Sequence, residues 1–505
     1  SRDLAASAAY GFMRLRLEPS ILFGSARNAP VAALRMQIDA LDNVVFGDNA
    51  RIAGTPLFAN DPSGTSILGN DLSDYFFLRR LWLEFLIPIG LIRIGRQGSH
   101  GGLGLLFNDG GVATAPDPGT SGSTMGNGIS GRVGVVGREN DFGDPLTGTT
   151  FDRILFATRP LTIFNVLTRG DSRQTPLIFA LAYDWLAEDT LGLAGTPVAR
   201  RPAPFEFLTG SFDDVWQTTM VLAWRDDEFN NSVNARDELS AGLVMVHRGQ
   251  DSTSSSIFIG DVFYRLLWSA FGRRAPQIYT EGELYTIQGN TYGVSLRSPT
   301  AALDPTTGRT GAPLGANIWG GTARVGLEDP VWSARFEAGF STGQSGSGLP
   351  IGIEVFTQRP NNANYQVGML LYPLVLAVRT AAAYGPTASA IWSGGGVWNS
   401  IYLLPQARFR PLPGIELIGQ FLLAFADNLN GPLYNNRADG ATGCGLSEEC
   451  ILGWEADVAL KVSWGPQDQL RWSNELGIMG AGPALGPLLS NSLIWTAQTR
   501  IAFVF

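Results

Sequence analysis

The chain gathers arginines and carboxylates in short clusters, most of them two residues apart: Arg14, Arg16 and Glu18; Arg35, Gln37 and Asp39; Arg80 and Glu84; Arg93 and Arg96. Arg335 and Glu337 repeat the spacing much later. Guanidinium groups bind planar oxyanions through two parallel hydrogen bonds. A wall of them would therefore attract phosphates, acidic sugars or carboxylates. The same groups can also pair with one another across neighbouring strands and stiffen the surface that carries them.

Other constellations point to less. Ser99-His100 runs into Gly101-Gly102-Leu103-Gly104, which resembles a phosphate-cradling loop, yet no Lys-Ser/Thr follows. Ser99 and His100 as a hydrolase pair would need mutual hydrogen-bond reach on a lipid-facing rim, and adjacent strand residues point apart. The only histidines, His100 and His247, are far apart, and no zinc spacing occurs. Asp427, Asn428, Asn430, Asn435, Asn436 and Asp439 are rich in oxygen but lack the ligand spacing of an EF-hand, so they read as a solvated loop. The expectation is a protein that is not an enzyme and has no cofactor or metal. Cys444 and Cys450 fit a small loop disulfide made in an oxidising compartment; two free thiols are the other reading.

A spacing of two belongs to strands, whose successive side chains face opposite ways. Between Leu452 and Trp464, Leu452, Trp454, Ala456, Val458, Leu460, Val462 and Trp464 share one face, while Glu455, Asp457, Lys461 and Ser463 share the other. Trp332, Ala334, Phe336, Ala338 and Phe340 oppose Ser333, Arg335 and Glu337; Ile415 to Phe425 opposes Glu416 and Gln420; Trp216, Met220, Leu222 and Trp224 oppose Gln217, Thr219 and Arg225. The last residues, Leu493 to Phe505, alternate in the same way and end on an aromatic ring. One face suits lipid and the other suits water.

Charged residues make up only 16% of the 505 residues, against about 25% in soluble proteins. A membrane helix needs about 18 to 20 apolar residues in a row, and the best stretches fail: 81–94 is broken by Glu84, Pro88 and Arg93, and 367–383 by Pro373 and Arg379. The remaining structure that satisfies its backbone in lipid is a closed barrel. The net charge of -9 excludes general nucleic-acid binding. No basic-then-apolar export signal opens the sequence, as expected once such a leader is removed.

Tight turns at Pro88-Ile89-Gly90, Asp329-Pro330, Pro411-Leu412-Pro413-Gly414 and Gly465-Pro466-Gln467-Asp468 are assigned to the periplasmic side. Long polar connections near 47–74, 98–150, 188–213, 291–318, 342–361 and 428–450 are assigned to the extracellular side or to inward constrictions. The resulting fold is an all-β, antiparallel, up-and-down transmembrane β-barrel of about 18 strands, within a range of 16 to 20, with residues 1–505 as one domain.

Several stretches resemble a family of large outer-membrane β-barrel proteins from myxobacteria and related deltaproteobacteria. They are Arg14-Leu15-Arg16-Leu17-Glu18-Pro19, Ile38 to Gly47, Gly95-Arg96 with Ser99-His100 and Gly102-Leu103-Gly104, Gly143-Asp144 and Asp152-Arg153-Ile154. Gly101 departs from the family pattern, which has Trp there. The resemblance implies the barrel class and brings no substrate or catalytic residue. The functional expectation is a porin-like channel of the bacterial outer membrane for passive passage of small polar or anionic solutes. Arg14, Arg16, Glu18, Arg35, Asp39, Arg80, Glu84, Arg93, Arg96, Arg335 and Glu337 would line the pore. The alternative is a structural or export barrel within a multi-protein assembly. Expected partners are the lipid bilayer with lipopolysaccharide, small polar solutes and other envelope proteins.

Overall fold

A computed structural model of the chain describes residues 10–24, 31–47, 76–109, 142–143, 148–170, 175–186, 215–226, 229, 237–250, 255–272, 276–291, 314–343, 355–383, 393–429, 448–465, 469–486 and 489–503. The strands are β1 (Tyr10–Leu17), β2 (Ser20–Phe23), β3 (Ala32–Gly47), β4 (Phe76–Ile87), β5 (Gly90–Gly98), β6 (Thr150–Thr158), β7 (Leu177–Leu186), β8 (Val215–Asp226), β9 (Glu238–Gln250) and β10 (Ser255–Trp268). They continue with β11 (Gln277–Thr291), β12 (Leu314–Glu328), β13 (Trp332–Ser341), β14 (Val355–Phe356), β15 (Ser400–Leu412), β16 (Ile415–Ala426), β17 (Ile451–Trp464), β18 (Leu470–Ala481) and β19 (Leu493–Phe503). Helix α1 (Pro160–Arg169) lies between β6 and β7, and α2 (Ala377–Ala383) between β14 and β15.

All nineteen strands form one sheet. Leaving aside the two-residue β14, which pairs parallel to β12, the other eighteen are antiparallel and pair in chain order from β1 to β19. Strands β1 and β2 both lie along β3 in one register, Leu17 opposite Ile38 and Ser20 opposite Arg35. Pro19 stands between them. It has no N–H to give the ladder, so one stave is written as two segments.

The sheet is inside-out. Asp184, Asp261, Glu281, Glu455 and Asp457 are buried, whereas Trp185, Trp224, Trp319, Trp332, Trp454 and Trp464 are exposed. Water-soluble folds do the reverse. A curved sheet that encloses its charged face and presents its aromatic face outward is stable only where the outside is lipid, and this is a transmembrane β-barrel. Trp454 and Trp464, at opposite ends of β17, are 38% and 47% exposed. Ten residues of a strand tilted by about 45° climb roughly 24 Å, close to the height of the apolar band. The two rings therefore mark its two edges. Trp464 stacks on Trp472 across the β17–β18 turn, with centroids 6.4 Å apart.

The two rims differ. Strand pairs β4–β5, β12–β13 and β15–β16 are joined at one rim by the turns expected there, and β17 and β18 meet at the same rim, where residues 466–468 lie outside the described ones. The opposite rim carries the long connections, several of which lie largely outside the described residues. No helix of the described residues is long and apolar enough to cross a membrane.

Two outward assignments need correction. Leu452 is fully buried and Phe425 nearly so. The β16–β17 register shifts there, with Phe425 opposite Ile451 and Ala424 opposite Gly453. Leu452 is thus the extra residue of a bulge, turned inward beside Gly453 at φ 154°. Phe505, whose outward position was expected, lies outside the described residues.

Candidate functional site

The candidate site is the lumen, built first from charged pairs on adjacent strands. Arg16 on β1 meets Asp39 on β3 through two bonds of 2.6 and 2.9 Å. Arg79 joins the same carboxylate. Gln37 donates to Glu18 at 2.5 Å. Glu84 on β4 accepts from Arg93 on β5 at 2.8 Å and lies 4.0 Å from Arg35. Arg335 bonds Glu328 at 2.7 Å, and Glu337 binds Arg324. Arg80 donates to the carbonyl of Asp109 at 2.5 Å. Arg14 lies half-buried on the same face of β1.

Arg96 is placed differently from expectation. It sits on the outer face with exposed Ile94 and forms a bidentate pair with Asp152 of β6, at 2.8 and 2.7 Å, both side chains nearly half exposed. Arg93 and Arg96 are three residues apart, and an odd interval puts two strand residues on opposite faces. Arg79 is the converse case. The β3–β4 register shifts between Gln37 and Ile38, which pair with Arg80 and Leu78; the extra residue, Arg79, reaches Asp39. Cys450 is buried and disulfide-bonded; Cys444 lies outside the described residues.

Two inward segments fill the middle of the lumen. The first, 99–109, is anchored by Glu283 on β11, whose carboxylate accepts the backbone N–H groups of Leu103, Gly104 (3.0 Å) and Leu105 (3.1 Å). Gly102 and Gly104 have φ of 54° and 94°. This backbone turns consecutive N–H groups into one concavity, a ready anion site. A Cβ on Gly102 would stand 2.6 Å from Oε2 of Glu283. The second segment runs from 357 through a π-helical stretch, Leu371–Leu376, into α2. Glu455 on β17 anchors it through Met369, Leu370 (2.7 Å) and Leu371 (2.9 Å).

The segments also grip each other and the wall. The Asn362 N–H donates to the Leu105 carbonyl at 2.6 Å, and its side chain donates to the Leu106 carbonyl at 3.2 Å. Tyr285 donates to Asn361 at 2.6 Å. Arg324 spans Glu281 (2.7 Å) and the Tyr365 hydroxyl (2.8 Å), and Tyr365 and Tyr402 both donate to Glu337, at 3.0 and 2.5 Å. Between these polar anchors lies an apolar cluster containing Leu105, Phe107, Val367, Leu371, Tyr372 and Trp398. Burial raises the hydroxyls of Tyr365 and Tyr372 above the usual phenol range.

Ser99 and His100 belong to this inward segment, away from any lipid-facing rim. Ser99 is buried, its N–H bonded to the Thr149 carbonyl at 2.9 Å, and His100 Nδ1 lies 3.2 Å from Asp109 Oδ1. Asp427 and Asn428 are described and serve the fold: Asp427 accepts from the Gly343 N–H at 2.8 Å, and the Asn428 N–H donates to Asn399 at 2.9 Å. Asn430, Asn435, Asn436 and Asp439 lie outside the described residues. Among the described residues no group of three or more His, Cys, Asp or Glu is placed to hold a metal ion.

An enclosed charged face, a lipid-facing aromatic surface and inward segments define the class: a transmembrane β-barrel with loops folded into its lumen. No protein-family model and no curated protein matches the chain. Among solved structures it is similar to Pseudomonas aeruginosa OccK5 (OpdH), with 7% identity over 98% of this chain and 95% of that one, TM-score 0.41. It is also similar to P. aeruginosa OpdK in complex with vanillate, with 9% identity over 97% and 91%, TM-score 0.45, and to P. aeruginosa OprD, with 7% identity over 93% and 85%, TM-score 0.40.

Proposed function

We propose that the chain, residues 1–505 as one domain, is a passive outer-membrane channel for small polar or anionic solutes. One observation carries this reading: the charged face of the sheet is enclosed, and segments from the long-loop rim are anchored inside it by wall carboxylates. On this reading Arg14, Arg16, Glu18, Arg35, Asp39, Arg80, Glu84, Arg93, Arg335 and Glu337 form the wall of the path, and its arginines attract passing oxyanions. The resemblance of Arg14–Pro19 and Ile38–Gly47 to the myxobacterial barrel family supports the same class. The protein is read as non-enzymatic, because Ser99 and His100 lie in a buried inward segment and not on the lipid-facing rim that a hydrolase pair would need.

The test is reconstitution of the purified protein in planar bilayers under a salt gradient. Discrete conductance steps with a reversal potential favouring anions are expected. A membrane that stays silent at all potentials overturns the proposal.

The packed lumen favours a second reading, a structural or export barrel that works with other envelope proteins. A stoichiometric co-purifying partner, or another chain threaded through the lumen, would select it over the solitary channel.

A further inference from the structure

Helix α1 is amphipathic in the wrong sense for a water-soluble rim. At 100° per residue, Thr162, Asn165 and Arg169 form one stripe, and Ile163, Phe164 and Leu167 the opposite one, flanked by Leu161 and Val166. At Thr162 the polar stripe faces the protein. Thr162 Oγ1 accepts the Thr175 N–H at 2.8 Å and lies 2.9 Å from the Thr175 hydroxyl, and Arg159 donates to the Thr175 carbonyl. The apolar stripe faces away, with Phe164 58% and Leu167 79% exposed, and no residue of the helix is buried. The helix is well terminated, with Pro160 in its first turn and Gly170 at φ 67° returning its N–H to the Val166 carbonyl. It is therefore a formed element and not a frayed turn.

Its position says what covers it. The helix leaves β6 at the short-turn rim, where Thr158 bonds the Ile89 carbonyl at 2.6 Å, and re-enters at Leu177, which pairs with Trp224. The outward residues around that point, Phe85, Ile89 and Trp224, belong to the lipid-facing surface of the barrel and are exposed. The stripe of α1 continues that surface past the edge of the sheet. The helix holds no acidic residue, and Arg169 stands in its last turn. A cation at that place suits phosphate groups, and the apolar stripe beside it suits acyl chains.

We propose that α1 is an interfacial helix, lying in the headgroup layer of the periplasmic leaflet with Phe164 and Leu167 at the acyl boundary and Arg169 among the phospholipid phosphates. The inference rests on the barrel reading and adds a lipid-binding element to it. An element of this kind fixes the height and tilt of the barrel at one point of its rim.

The test places a nitroxide on single cysteines introduced as Phe164→Cys, Leu167→Cys, Asn165→Cys and Leu181→Cys in the full chain. Each labelled protein is reconstituted without reductant in phosphatidylethanolamine–phosphatidylglycerol vesicles, and collision with oxygen is compared with collision with a water-soluble nickel chelate. Labels at 164 and 167 are expected to favour oxygen as the label at 181 does, and the label at 165 to shift toward nickel. Nickel access at 164 and 167 equal to that at 165 would put the helix in water; shielding of both from either agent would put it against protein. Both outcomes overturn the inference. A label at 181 that fails to favour oxygen would instead defeat the barrel reading.

Discussion

Glu283 and Glu455 stand on different strands of the barrel wall and do the same thing: each carboxylate receives three consecutive backbone N–H groups of a segment folded into the lumen. Desolvating a carboxylate costs several kcal/mol, and charge-assisted hydrogen bonds return about 1.5–3 kcal/mol each. Three of them offset part of the burial cost and hold the segment in place.

Glu283→Gln keeps the size of the side chain but leaves one acceptor oxygen and turns an amide donor toward N–H groups. A loss of about 1–3 kcal/mol from the anchor is expected. In planar bilayers the variant should give larger or noisier conductance steps than the parent. Identical traces would show that the anchor does not govern the path.

Gly104→Ala attacks the same anchor from the other side. At φ 94° its Cβ would lie 2.5 Å from the Asn108 amide nitrogen. Strain of about 1–3 kcal/mol corresponds to roughly 5- to 150-fold faster opening. Hydrogen exchange at the Leu103–Leu105 amides should accelerate within that range, and unchanged exchange contradicts the assignment.

Arg93 and Arg96 should behave unlike. Arg93→Gln leaves Glu84 without its 2.8 Å partner inside the lumen and should move the reversal potential toward cations. Arg96→Gln breaks a pair with Asp152 on the outer face, away from the path, and should leave selectivity where it was. Equal shifts from both would place Arg96 on the path.

The buried phenols set an alkaline limit. The hydroxyls of Tyr365 and Tyr372 are raised by burial, above the value near 10 that they regain on unfolding. Their contribution is fully present below pH of about 10 and is lost as pH rises toward the folded values. Replacing both by Phe should not change the phenolate absorbance that develops up to pH of about 10. A missing increment there would mean that water reaches them.

Tryptophan position can be read with brominated lipids. Trp464→Phe removes a lipid-facing ring and should lower the quenchable fraction of the fluorescence, while Trp398→Phe removes one that is fully enclosed and should not. The reverse pattern would turn the barrel outside in.

Much of this fold is legible from alternation alone. The faces of β13 and of most of β17 follow from Arg335 and Glu337 against Trp332 and Phe336, and from Glu455 and Asp457 against Trp454 and Val458. Period two fails only where a residue is inserted. Leu452 and Arg79 are each the extra member of a bulge, and local alternation carries no mark of it. Glu283 was missed because its partners lie about 180 residues earlier in the chain. The signal was present in halves. The turn made by Gly102 and Gly104 does cradle a carboxyl group, through the N–H groups of Leu103, Gly104 and Leu105, but that group is the protein's own Glu283.

The charged pairs of the wall have one more consequence. Glu84 with Arg93, Arg153 with Asp184, Glu328 with Arg335, Glu416 with Arg410 and Glu475 with Arg500 each join two successive strands. Each of these five pairs is complete within its own hairpin. During biogenesis such a pair can form as the hairpin does, with neither partner waiting in acyl chains for a strand not yet delivered.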